Sequence, residues 1–273
     1  GVSMMIKAIA VDKDGTFLKS DHTYDKAYFE KIFYELKRQD IKFIVASGNQ
    51  YAQLQSFFPE KDQHITYVAE NGAVTYYDNE LVTSYYFDPQ LIYDVVETLT
   101  ADFELTDIVL SGIQSAYVKQ TSSEEFLNFI SNYYYDIEKV ESFEQIEDDN
   151  FVKVAMRIKD KDLVKEVMDT LETKFRGELR AVTSGNDSVD LGGRRIIKKK
   201  TGQDILKQWG IEQDALLAFG DANNDLEMLG LTTHSYAMAN CSPEVEAVAQ
   251  HKAPSNDDSG VLQVIEQYLK QHQ

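Results

Sequence analysis

Ile9-Ala10-Val11-Asp12-Lys13-Asp14-Gly15-Thr16 is the stretch that decides the reading of this chain. An apolar run suited to a buried parallel strand ends in two carboxylates, Asp12 and Asp14, and breaks at Gly15-Thr16. Alternate side chains share a face along an extended strand, but this strand is ending, so the two acids can point differently. Neither has packing work at such a position. Their mutual repulsion and desolvation are costs that a purely structural pair avoids. A hard cation or a reacting electrophile would offset them, while an ordinary acidic strand-to-loop exit is the plain alternative.

Outward from this strand, the pattern alternates. Residues 6–12 read as a strand, and 25–39 as a helix with Phe29, Ile32, Phe33 and Leu36 on one face. Residues 41–47 repeat the strand and stop at Gly48-Asn49. A helix from about Tyr51 to Phe58 and a strand over 66–69 lead to Glu70-Asn71-Gly72. This β-α-β-α-β order predicts an α/β fold, a doubly wound parallel sheet. The same grammar returns late. A helix at 199–209 precedes a strand at 215–221 that ends in acid. A helix beginning at Asn224, a strand at 235–239 and helices at 243–249 and 260–269 follow.

Between these halves the texture changes to aromatic alternation, as in Phe151-Val-Lys-Val-Ala-Met-Arg-Ile158, with amphipathic helices expected at 89–100, 123–135 and 161–175. Residues 82–189 therefore read as an inserted α+β domain, with 1–81 and 190–273 forming the core. Tyr133-Tyr134-Tyr135 reads as a partly buried helix end rather than a substrate wall.

Composition narrows the function. The 273 residues carry 27 basic against 46 acidic side chains, a formal charge of −19. Such a field repels nucleic acid and anionic membrane, so neither is expected as a partner. It also repels an anionic substrate unless a cation or a local basic cluster intervenes; Arg194, Arg195, Lys198, Lys199 and Lys200 form one such cluster, of which most read as a solvated basic loop. No apolar run is long enough to span a bilayer, and the N-terminus lacks a signal-peptide pattern. Gly1-Val2-Ser3 ahead of Met4-Met5 reads as a cloning remnant. A single cysteine, Cys241, rules out an internal disulfide, suits a reducing cytoplasm, and reads as a small buried thiol.

Three apolar strands end in reactive polar residues: Asp12 with Asp14, Ser47, and Asp221. In open parallel sheets, ligands bind beyond the carboxyl ends of the strands, where such segments converge. Gly220-Asp-Ala-Asn-Asn-Asp225 places Asp221, Asn224 and Asp225 around one strand-to-helix turn, and a helix cap explains only one of them. Oxygen-only ligands suit Mg²⁺, which shares a phosphate and keeps several waters. No His/Cys pair has zinc spacing.

With these motifs in order, the chain resembles a haloacid dehalogenase superfamily phosphatase. The subclass it looks like is the Cof type, with a large C2-type (IIB) cap between the second and third motifs. Asp12-Lys-Asp-Gly-Thr16 matches motif one, Ser47 in Val-Ala-Ser-Gly motif two, and Gly220–Asp225 motif four. Ala237-Met-Ala-Asn240 and Ser255-Asn-Asp-Asp-Ser-Gly-Val261 also resemble the subclass. The resemblance covers nearly the whole chain.

It implies that Asp12 attacks phosphorus to form an aspartyl-phosphate, and that Asp14 is the general acid and base. It implies Mg²⁺ held by Asp12, the Asp14 carbonyl and Asp221, with Asp225 and Asn224 supporting that shell. Ser47 and Gly48 would receive the phosphoryl group. Apart from the resemblance, Glu70-Asn71-Gly72 stands at another strand end, where Asn71 either contacts substrate or belongs to a plain turn. The motif-three lysine aligns best with Lys198, with Lys199 and Lys200 as shifted alternatives. Two positions depart from the family pattern. Lys13 stands where an apolar residue is usual, and would point away from Asp12 if the strand stays extended. Asn49 stands where many members carry Arg.

The expected protein is thus a cytoplasmic Mg²⁺-dependent phosphatase of a small phosphorylated metabolite, sugar phosphates first, working as a monomer or weak homo-oligomer. Pyridoxal phosphate and flavin mononucleotide are further candidates. The alternatives are phosphotransfer to a second sugar, as in a mutase, and a non-catalytic phosphate sensor, against which Asp14 argues because a sensor needs no general acid.

Overall fold

The computed structural model describes residues 5–61, 63–183, 187–193 and 198–271, the side chains of 198–200 excepted. The expected remnant at Gly1–Ser3, the arginines at 194 and 195, and the side chain of Lys198 lie outside the described residues.

The chain opens with β1 (Ala8–Asp12), α1 (Lys26–Arg38), β2 (Lys42–Ala46), α2 (Tyr51–Ser56) and β3 (Ile65–Ala69). An antiparallel hairpin of β4 (Val74–Tyr77) and β5 (Glu80–Ser84) follows. Next come α3 (Pro89–Phe103), β6 (Ile108–Gly112), β7 (Ala116–Lys119), α4 (Glu124–Ile130), β8 (Ile137–Val140) and β9 (Phe151–Arg157). After α5 (Lys161–Lys174), the strands β10 (Leu179–Thr183) and β11 (Ser188–Gly193) lead to α6 (Lys198–Trp209). The chain closes with β12 (Leu216–Gly220), α7 (Leu226–Leu229), β13 (His234–Met238), α8 (Pro243–Val248), β14 (His251–Ala253) and α9 (Gly260–Gln271).

These strands form two sheets. The eight-stranded core sheet has the order β14-β13-β12-β1-β2-β3-β4-β5, parallel from β14 through β3 and antiparallel across its last two pairings. Its central strands are apolar on both faces because both are covered. Phe29, Ile32, Phe33 and Leu36 of α1 and Val261, Ile265 and Leu269 of α9 seal one side. Ile205 and Leu206 of α6, with Met228 and Val245, seal the other. Cys241 packs half-buried at the edge of that second cluster. The expected doubly wound α/β core is present.

The second sheet has six strands in the order β10-β11-β9-β6-β7-β8, mostly antiparallel, as in an α+β cap. One face packs on α3 and α5 through residues such as Ile92, Leu99, Val154, Val167 and Leu171. The other carries Val109, Ala116 and Val118 against Phe126, Ile130 and Tyr134. The junction expected at 81/82 falls within β5, which the Asp78-Asn79 turn returns to the core sheet's edge, and that at 189/190 falls within β11. The helix expected at 123–135 is shorter. It ends at Ile130, and the three tyrosines follow it in a turn and the irregular chain beyond. Among the described residues, no helix is long and apolar enough to cross a membrane.

Candidate active site

The core sheet reverses its order at the β1–β12 pair: β2 and β3 extend one way, β13 and β14 the other. Carboxyl ends at such a switch point open a crevice. Asp12 ends β1 there, and Asp221 follows β12. One oxygen each from Asp12, Asp221 and Asp225 lies within 4.8 Å of the others.

Local geometry enforces that convergence. Gly15 has φ 75°, a left-handed conformation that glycine adopts freely, and a Cβ there would collide with the Asp221 carboxylate. Thr16 Oγ1 donates to Asp221 Oδ1 at 2.8 Å. Asp225 is fully buried, and its Oδ2 accepts the backbone N–H groups of Asp221 at 3.0 Å and Ala222 at 3.2 Å. Asn240 Nδ2 donates to the Gly15 carbonyl at 2.8 Å, tying the β13 exit to the same turn. Three convergent carboxylates, two of them buried, fit a hard divalent cation.

Asp14 sits beside them, 41% exposed, with Lys13 Nζ at 3.3 Å and His22 Nδ1 at 3.5 Å. Strand pairing stops at Asp12, and the Lys13 side chain is 1% exposed. Its Nζ donates to Gln53 Oε1 at 2.9 Å and lies 4.5 Å from the centre of the Phe57 ring. Burial pulls the Lys13 pKa down, with Asp14 and then Asp12 pulling it partly back. The position that resemblance reserves for an apolar residue thus holds a buried ammonium on the acid pair.

Ser47, at the end of β2, is buried; its Oγ donates to Asn49 Oδ1 at 2.7 Å and accepts the Asn49 N–H at 3.1 Å. Asn224 Oδ1 is buried with no hydrogen-bond partner among the described residues, and Asn224 lines the same cavity. That cavity, about 340 Å³, has a floor of Asp12, Asp14, Ser47, Gly48, Asp221 and Asn224 and a roof from the cap. Asn71 is not among its lining residues; its Nδ2 donates to Asp190 Oδ2 of β11 at 2.8 Å. Lys198 opens α6, its side chain outside the described residues.

The roof is what sequence reasoning missed. Phe126, Phe129, Tyr133, Tyr134, Lys153 and Arg157 line it. Two of the three tyrosines are therefore cavity wall. Arg157 is 8% exposed; it is bonded to Asp107 at 2.8 and 3.0 Å and lies over Phe126 and Phe129, 5.5 and 4.9 Å from their ring centres. A signal existed. Lys153 and Arg157 share one parity of an otherwise apolar strand, and same-parity residues share a face.

The chain matches the haloacid dehalogenase-like hydrolase family over residues 9–265. It is 37% identical over 267 residues to the 5-amino-6-(5-phospho-D-ribitylamino)uracil phosphatase YbjI of Escherichia coli K12, covering 98% of this chain and 97% of YbjI. It is 24% identical over 278 residues to the Bacillus subtilis phosphatase YitU, named for the same substrate, covering 96% and 97% of the two chains. Among solved structures, SMU.1108c from Streptococcus mutans UA159 superposes with a TM-score of 0.91 at 35% identity, covering 97% of this chain and 99% of that one.

Proposed function

The chain belongs to the haloacid dehalogenase-like hydrolase family and is a phosphatase, and we propose that Asp12 is its nucleophile and Mg²⁺ its cofactor. The observation that carries this reading is the meeting of the Asp12, Asp221 and Asp225 carboxylates on the floor of a cavity that Asp14 and Ser47 also line.

In the first half-reaction an Asp12 carboxylate oxygen attacks phosphorus, the ester P–O bond breaks, and Asp14 protonates the departing alkoxide. In the second, Asp14 takes a proton from water, the water oxygen attacks phosphorus, and the Asp12–phosphoryl bond breaks to release inorganic phosphate. Ser47 donates to a phosphoryl oxygen, and Asn224, lining the same cavity, would support the site beside it. Asp12, Asp221 and the Asp14 carbonyl would hold the cation, with Asp225 behind them. Bound there, it neutralises charge on the transferring phosphoryl group. Lys198 would supply a further cation.

For the substrate, the sequence favours a sugar phosphate, and the aromatic roof adds a flat ring on the leaving group. A ribityl phosphate carrying a uracil, the substrate for which YbjI and YitU are named, satisfies both. The test is steady-state release of phosphate and alcohol from that compound, simple sugar phosphates and p-nitrophenyl phosphate, with Mg²⁺ or EDTA, in wild type and Asp12→Asn. Activity that needs both Mg²⁺ and Asp12 is the expected result. Retention of the wild-type rate in Asp12→Asn would sink the covalent route, and phosphate appearing on a second sugar would mark a transferase.

A further inference from the structure

The loop after β2 is gripped through three consecutive carbonyls. The backbone N–H of Asn71 donates to Ser47 O at 3.0 Å, and that of Glu70 donates to Asn49 O at 3.1 Å. Both donors come from the core, from a turn whose residues Glu70 and Asn71 hold φ of 53° and 57°. The middle carbonyl, Gly48 O, is taken by the cap: Lys153 Nζ of β9 donates to it at 2.5 Å.

This contact is buried and enclosed. Lys153 is 2% exposed, and its ammonium lies 3.6 Å from Glu70 Oε2 and 5.1 Å from the centre of the Tyr134 ring. At 3.6 Å the Glu70 carboxylate and the ammonium face each other as an ion pair rather than in a short hydrogen bond. Burial pushes the Glu70 carboxyl up, and Lys153 only partly offsets that. A Cβ on Gly48 would lie 2.9 Å from Asn71 Oδ1 and 3.3 Å from Asp190 Oδ2, so the cap seats directly on this glycine. Buried ion pairs contribute little net stability compared with apolar residues of like volume, so one pointed at a backbone carbonyl beside the reacting centre calls for another role.

We propose that Lys153 is a positioning residue for phosphoryl transfer: from the seated cap it holds the Gly48 carbonyl, and so sets the Ser47–Asn49 loop in the geometry that receives the phosphoryl group. Three ties on adjacent peptides leave the loop little freedom to rotate. With its carbonyls turned to their donors, Ser47 Oγ stays on the cavity side. The loop residues themselves are uncharged, and among the described residues Lys153 is the lysine that lines the cavity beside them. Phosphate binding and cap seating are thereby linked through one side chain. This inference rests on the reading of Ser47 as a hydrogen-bond donor to the phosphoryl group.

The experiment compares Lys153→Met, Glu70→Gln and the double variant in the full-length protein. It reads kcat and KM for p-nitrophenyl phosphate, inhibition by inorganic phosphate, and Tm. A positioning role predicts that Lys153→Met lowers kcat about 10- to 100-fold and weakens phosphate inhibition by about 10-fold. The double variant, with no charge left unpaired, recovers Tm toward wild type but neither kcat nor phosphate affinity. It also carries the test if Lys153→Met does not fold. A double variant with wild-type kcat and phosphate inhibition would overturn the proposal and leave Lys153 a cap latch. Wild-type activity that needs Asp12 and Mg²⁺ keeps the phosphatase mechanism standing in that case. Its absence would remove the mechanism and this inference together.

Discussion

The floor and the roof of the cavity are built on opposite principles. The floor is oxygen and charge: Asp12, Asp14, Ser47 and Asp221 each stand at or just past the end of a parallel strand, in two short contiguous runs and a single serine. The roof is mainly ring and hydrocarbon, gathered from the α4 turn and from alternate positions of β9, with two buried cations set among the rings. A strand end is a local event, so its chemistry can be written in consecutive residues. A sheet face is not local, since its membership depends on parity, register and what packs behind it. On the proposed reading, the groups that react and the surface that selects the leaving group are encoded at different ranges in the same chain.

If the floor alone runs the reaction, Asp12→Asn removes hydrolysis of every substrate by about 10⁴-fold or more, with Tm little changed. Asp14→Asn is the next largest, about 10²–10⁴-fold, and the loss shrinks for esters whose leaving alcohol is a good one, because protonation then matters less. Comparable losses for p-nitrophenyl and alkyl phosphates in the rate of enzyme phosphorylation, read in a single turnover so that the second half-reaction does not enter, would take Asp14 out of the acid's role. Chelation should abolish turnover until Mg²⁺ is restored, and Asp221→Asn should raise the Mg²⁺ needed by about 10–100-fold, read by titrating activity or calorimetric binding.

The roof makes a smaller and more selective prediction. Phe129→Ala should lower kcat/KM about 10-fold for a ring-bearing phosphate and barely move that of glycerol phosphate. Equal effects on both would mean that the roof shapes the cavity without reading the leaving group.

Lys13, buried in the core beside Asp14, Gln53 and Phe57, gives the smallest effect. Its folded pKa lies below the ordinary 10.5, burial being the first cause. The charged form is therefore penalised in the folded state, and stability rises with pH between the folded value and 10.5. Comparing wild type with Lys13→Met by thermal melts, the difference should move in favour of wild type as pH climbs from neutral toward 10.5. A pH-independent difference would show that the Lys13 amine gains no proton-linked penalty on folding.

Much of the fold was legible because its signals were periodic or terminal. The apolar run ahead of Asp12 and the helical stripe of Phe29, Ile32, Phe33 and Leu36 are both where the pattern put them. Less was legible in the cap. The turn over residues 131–134 keeps an aromatic texture that periodicity cannot tell from helix, and α4 ends early there. Asn71 looked like a substrate contact because it stands at a strand end, yet its amide is bonded to Asp190, 119 residues away. Lys13 looked harmless on the assumption of an extended chain, and pairing ceases one residue before it.

The sequence by itself determined the two-part α/β architecture and the acidic strand ends, because strand propensity, helix periodicity and the ending of a strand ahead of Gly15 act within a few residues. Only the tertiary structure decided which parity of β9 faces the cavity, and that Lys153 reaches the carbonyl of Gly48, 105 residues earlier in the chain. The reason is physical: alternation divides a strand's side chains into two faces, but only packing one sheet over the other says which face meets the site.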